Sequence, residues 1–184
     1  MKSIGADVLR CIADYLTVLE TYHCQMAHKG FHKAVNLHSK CRLVLKQHLA
    51  PRVTDPERFL GWMCVNEFVL AGPFLKRMVR GTDTERINLH LLHRKHTHPF
   101  TAMTRRQLYL ALQQAGFHNL MRTVRPHDWN GPLVFEDYVN SKKVQKVILL
   151  LARTGGFKEL LHHHGVVFDG NKVKFPLQQT HRAH

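Results

Sequence analysis

From Ala6 onward the apolar residues Val8, Leu9, Ile12, Tyr15, Leu16, Leu19 and Tyr22 recur three and four positions apart. That spacing gathers them into one stripe of an α-helix, and such a stripe must be buried, so the chain has to fold as packed helices from its start. The spacing predicts a helix from Ala6 to Lys29-Gly30, with Gly30 as its C-terminal cap. A second helix should carry Val35, Leu37, Cys41, Leu43, Val44, Leu45 and Leu49 and stop before Pro51. Thr54-Asp55-Pro56-Glu57 predicts a third start, capped by Asp55 or Thr54, with Pro56 in the first turn, where its missing N–H costs nothing. That helix is expected to run from Glu57 through Phe59, Trp62, Met63, Phe68 and Leu70 to Met78, kinked at Gly72-Pro73.

The stretch from Arg80 to Thr104 is the most polar, with room for a short amphipathic helix through Ile87, Leu89, Leu91 and Leu92. Thr104 predicts the cap of a helix from Arg105 to Ala115, closed by Gly116. After a loop to Leu133, a long helix is expected from Phe135 through Val144, Val147, Ile148 and Leu151 to Thr154-Gly155-Gly156, and a short one from Phe157 to His162. Residues Val166 to Phe175 alternate around Asp169-Gly170, the pattern of a β-hairpin. The expected organisation is an N-terminal helical pair (1–51), a helical region (52–160) and a basic, His-rich hairpin and tail (161–184). The expected class is all-α, built from paired helix-loop-helix units with a small C-terminal hairpin.

Composition narrows the chemistry. The 184 residues include 27 Lys+Arg against 13 Asp+Glu, a formal charge of +14 with 16 His uncounted, and 44% hydrophobic residues, too apolar for a disordered basic tail. No apolar run approaches the roughly 20 residues of a bilayer span, so no membrane span is expected. Cys11, Cys24, Cys41 and Cys64 form no CxxC pair, which predicts free thiols, mostly in the core, rather than a disulfide scaffold or zinc module. GxSxG, Walker, GxGxxG and HExxH patterns are absent; no catalytic residue, metal or cofactor is expected. The histidines of His93 to His98 and His162-His163-His164 lack a Cys or carboxylate partner at zinc-site spacing and read as a solvated basic face.

The segment from His127 to Val139 resembles the loop and exiting helix of an EF-hand. Asp128 and Asn130 stand at the third and fifth ligand positions, Gly131 at the sharp turn, Leu133 at the apolar pairing position and Asp137 at the closing acid. Pro126 replaces the anchoring carboxylate, and Asp137 is shorter than the usual Glu, so the loop is expected not to bind calcium. A preceding loop, registered on Leu108, would offer His96, His98, Thr101 and Gln107, which suit a hard cation still less. With long helices leaving one hand and entering the next over about residues 55 to 160, the chain resembles the penta-EF-hand family. The resemblance implies helix-loop-helix pairing and docking to other proteins, not catalysis.

The cations are interleaved with the expected helices: Lys76, Arg77 and Arg80, then Arg94, Lys95, Arg105, Arg106, Arg122 and Arg125, then Lys142, Lys143 and Lys146. Such faces suit a protein embedded in a polyanion. The expected function is a non-enzymatic structural subunit of a large complex, most simply a ribonucleoprotein such as the mitochondrial ribosome, with other protein subunits and RNA as partners. The alternative anionic partner is tubulin in the axoneme of a cilium or flagellum, which would place the protein in the cytoplasm; a calcium-sensing adaptor is disfavoured by the eroded loop.

Overall fold

The computed structural model describes residues 4–53, 55–93, 110, 120–123, 133–139, 143–150, 161–162 and 164–176, with the backbone alone at 93, 120–123, 133–139 and 143–150. Six helices lead: α1 (Ala6–Tyr15), α2 (Val18–Ala27), α3 (Lys29–Ala34), α4 (Leu37–Leu49), α5 (Pro56–Val65) and α6 (Gly72–Val79). The first expected helix is two, because Thr17 starts a new one: its side chain accepts from Glu20 N–H while the Glu20 carboxylate accepts from Thr17 N–H. Gly30, expected as a cap, lies inside α3. Asn36 caps α4 through Ser39 N–H, which leaves Val35, expected within that helix, as the C-cap of α3; Asp55 caps α5 through Arg58 N–H with Pro56 in the first turn, as the sequence implied.

The expected continuous helix from Glu57 to Met78 is broken. Glu67 takes a positive φ of 57°, and Phe68–Ala71 forms strand β1 before Gly72-Pro73 opens α6. Pro73 therefore starts a helix rather than kinking one. The helix expected through Ile87 to Leu92 is replaced by strand β2 (Leu89–His93). Strand β3 (Leu120–Thr123) lies in the expected loop, and the long helix expected from Phe135 is instead β4 (Leu133–Val139) and β5 (Lys143–Leu150). Val134, Val139, Val144, Val147 and Ile148 are β-branched, and short apolar runs of this kind fit either period; pairing across the sheet decides. Of the expected helix from Arg105 to Ala115, Leu110 alone is described, and it is helical. The C-terminal hairpin forms as β6 (Val167–Phe168) and β7 (Val173–Lys174), with Asp169 Oδ1 accepting from Asn171 and Lys172 N–H across the turn.

Helix predominates, as expected, but an antiparallel sheet of β2, β1, β6 and β7 accompanies it. On its far side β5 joins β2 in parallel, followed by β4 and β3, giving the order β3-β4-β5-β2-β1-β6-β7. Successive strand residues point to opposite faces, and β1 buries both. Phe68 and Leu70, with Leu89, Leu91, Phe168 and Val173, enter the main core against Leu45, Leu49, Phe59, Leu60, Met63, Phe74, Leu75 and Met78. Val69 and Ala71 join Leu92 and Val167 in a second buried cluster with Leu161 packed against it. A third cluster, Leu9, Ala13, Phe31 and Val35, ties α1 to α3. The main core draws on the N-terminal helices, the central segment and the hairpin alike.

The loop after α6 is held from beneath by the buried Arg52. Its guanidinium donates to the Thr84 carbonyl and, at 2.6 Å, to the Ile87 carbonyl, and lies 4.9 Å over the Phe74 ring. Of the four thiols, Cys41 alone is buried, and burial pushes it up to about 12; Cys24 is half-buried, and Cys11 and Cys64 are exposed, against the expectation that most lie in the core.

Two glycines test the backbone in opposite directions. Gly72 has φ +78°, and an added Cβ would stand 2.8 Å from His90 Nδ1, whereas a Cβ at Gly61, inside α5, meets nothing within 4 Å. Gly72→Ala should destabilise by about 1–3 kcal/mol, and Gly61→Ala should stabilise by about 0.5–1 kcal/mol. Urea unfolding of both variants checks the pair; equal midpoints would contradict the α5–β1–α6 geometry.

Candidate polyanion-binding surface

A groove of about 530 Å³ opens where the end of α2, the α3–α4 junction and the end of β7 meet. Its apolar wall includes Met26, Val35 and the stacked rings of Tyr22 and Phe175, whose centroids are 4.3 Å apart. Lys33 supplies its positive charge with the imidazoles of His32 and His38 beside it, and none of its lining residues is a carboxylate. Two amides border it. Gln25 Nε2 donates to the Val35 carbonyl at 2.6 Å and Asn36 Oδ1 accepts from Ser39 N–H at 3.0 Å, so Gln25 keeps its oxygen and Asn36 its NH2 for other partners. Met26 is 62% exposed, a large apolar side chain held at the groove without cover.

The groove continues into a cationic hairpin. His38 is held below the ordinary histidine range by burial and by Lys172, with Lys174 adding to the effect and Asp169 opposing it. On the other side of β7 lies a smaller polar cavity of about 260 Å³. Cys64, Glu67, Asp169, Asn171, Lys172 and Lys174 line it, and Asn171 Nδ2 donates to Cys64 Sγ at 3.5 Å. Acids and bases balance there, and no histidine lines it to activate the thiol, so it lacks both the one-sided charge of the groove and a nucleophile–base pair. The hairpin between the two concavities is fixed by Arg42, which donates to the Gly170 carbonyl at 2.8 Å and pairs with Glu57 of α5; Lys46 shares the same carboxylate. Both cations hold the Glu57 carboxyl below its usual range.

The cations singled out in the sequence separate. Arg77 and Arg80 are exposed at the end of α6, with Lys76 half-buried beside them. Basic residues there also complement the negative end of the helix dipole. Arg122 lies on β3 in register with Phe135, while Lys143 and Lys146 lie on β5 in register with Val139 and Glu136. Positions 143 and 146, three apart on a strand, belong to opposite sheet faces, so Lys143 and Lys146 do not share one face. Arg94, Lys95, Arg105, Arg106, Arg125 and Lys142 fall outside the described residues, as do Asp128, Asn130 and Gly131 of the EF-hand-like loop. Asp137, expected on an exiting helix, lies within β4, between Leu120 and Gln145 in register. Among the described residues no three His, Cys, Asp or Glu side chains cluster to hold a metal, and no helix is long and apolar enough to cross a membrane.

The groove cations were not singled out in the sequence, because no local pattern joins positions 32, 33 and 38 to a hairpin more than a hundred residues later. Comparison of the chain with protein-family models, curated proteins and solved structures finds no match.

Three histidines make stability depend on pH. Burial holds His38, His48 and His90 below the ordinary 6.5; Arg52 adds to this at His48, where Asp83 opposes it and Nδ1 lies 2.8 Å from Thr84 Oγ1. Below about pH 6.5 the unfolded chain takes up protons more readily than the folded protein does. Stability is therefore full above that pH and declines as pH falls through the depressed folded values. Melting temperature should fall from about pH 7.5 to about pH 5.5, and His48→Gln should lessen the fall; a flat profile for the parent chain would contradict the depressed histidines.

Proposed function

We propose that this chain is a non-enzymatic structural subunit of a ribonucleoprotein, contacting RNA through its basic faces. The observation that carries the reading is the way its cations are presented. Among the described residues three ion pairs occur, Arg10–Asp7, Arg42–Glu57 and Lys46–Glu57, and two of them share one carboxylate. Lys33, Arg58, Arg77, Arg80 and Arg86 are exposed and take part in none of them. Surplus charge of +14 exceeds the magnitude of about 2–8 that keeps a small domain soluble. Cations that stand outside these ion pairs are available to an external polyanion, and phosphate neutralisation releases counterions.

The specific host we propose is a mitochondrial ribosome. Sucrose-gradient sedimentation of a mitochondrial lysate tests it: the protein should travel with ribosomal particles and move to the top of the gradient after ribonuclease. Sedimentation that survives ribonuclease would overturn the RNA reading, and retention on detergent-extracted axonemes would favour tubulin.

A further inference from the structure

We propose that the groove between α2, the α3–α4 junction and β7 holds an unstacked nucleotide of a single strand, with the phosphodiester on its basic side. This rests on the RNA-contact reading above and names the part of the molecule that makes the contact. The chemistry of the lining asks for a ligand with three properties at once. It must have an apolar body to cover Met26 and the exposed parts of Tyr22 and Phe175. It must have a hydrogen-bonding edge with both donors and acceptors, because the Gln25 oxygen and the Asn36 NH2 are left over after their structural bonds. It must also be anionic, because Lys33 faces a groove without carboxylates, and His32 and His38 beside it offer ring N–H groups to a phosphodiester. A nucleotide combines all three, and an apolar or aromatic surface beside a cationic track is how single strands are bound with little sequence preference. The volume of about 530 Å³ lies within the ~300–1,000 Å³ of small-ligand sites, enough for a nucleotide but not for a duplex. An acidic peptide would satisfy the charge, but its carboxylate side chains offer no apolar body to cover Met26, Tyr22 and Phe175.

Asn36 provides a variant that keeps the fold. Asn36→Asp preserves the α4 cap, since aspartate caps as well as asparagine, while placing a carboxylate in the groove. Fluorescence anisotropy of the full chain with labelled U12 and dT12 reads the effect, and thermal melting verifies that each variant is folded. N36D should weaken binding by about tenfold or more, and Lys33→Gln should lower the salt slope by about 0.7. Gln47→Glu, which adds a carboxylate on the exposed face of α4 outside the groove lining, should change affinity less than about twofold. Equal affinity for U12 and dT12 identifies the phosphodiester and base as the recognised chemistry, and a preference for U12 adds the ribose hydroxyl; either supports the groove. Parent-like binding by both N36D and K33Q would overturn the inference while leaving RNA contact elsewhere intact. Failure of the parent chain to bind either strand overturns the groove proposal, and ribonuclease-sensitive sedimentation then decides separately whether the ribonucleoprotein reading stands. Displacement of U12 by polyglutamate at equal charge concentration would assign the groove to an acidic protein instead.

Discussion

Strand β1 offers no face to water. Phe68 and Leu70 point into the helical layer and Val69 and Ala71 into the cluster on the other side of the sheet, and Val69, Leu70 and Ala71 are fully buried. A four-residue strand buried on both faces cannot leave its backbone groups unpaired, so it must have a partner on each edge. Those partners are β2 and β6, which bring together segments about a hundred residues apart. The helices follow from that requirement: α5 delivers the chain to β1, α6 carries it away, and α4 closes over both through Leu45 and Leu49.

Two arginines extend the same organisation to the loops. Arg52 binds carbonyls of the segment leading to β2, and its lost hydration is offset by those hydrogen bonds and the face of Phe74. Arg42 fixes the hairpin turn to α4 and α5 through the Gly170 carbonyl and Glu57. Gly170 itself, at φ +93°, passes so close to α5 that an added Cβ would stand 3.1 Å from the Leu60 carbonyl oxygen. The hairpin is thereby held against the helical layer, and its end supplies one wall of the groove.

That placement gives the molecule two unlike concavities on either side of one short strand. Alternation along β7 sends Val173 and Phe175 toward the groove and Lys172 and Lys174 toward the polar cavity. The cavity balances its lysines with Glu67 and Asp169; the groove has no acid to balance Lys33. A one-sided charge beside an apolar wall suits an external anionic ligand.

The sequence by itself determined the start of α5 and the turn of the C-terminal hairpin. Asp55-Pro56 and the alternation about Asp169-Gly170 act within a few residues, so their helix start and hairpin were legible, as were the net charge and the absence of familiar catalytic motifs. Leu89 to His93 and Phe135 to Leu150 could not be read this way: their β-branched and leucine-rich runs satisfy a helical stripe and a strand equally well, and the choice lay with distant partners. Gly72-Pro73 fits a kink as well as a first turn until β1 is known to precede it. The candidate groove was less legible still. Its cations, amides and aromatics come from α2, the α3–α4 junction and β7, and only tertiary structure brought them together, because burying both faces of β1 requires the C-terminal hairpin to pair beside it.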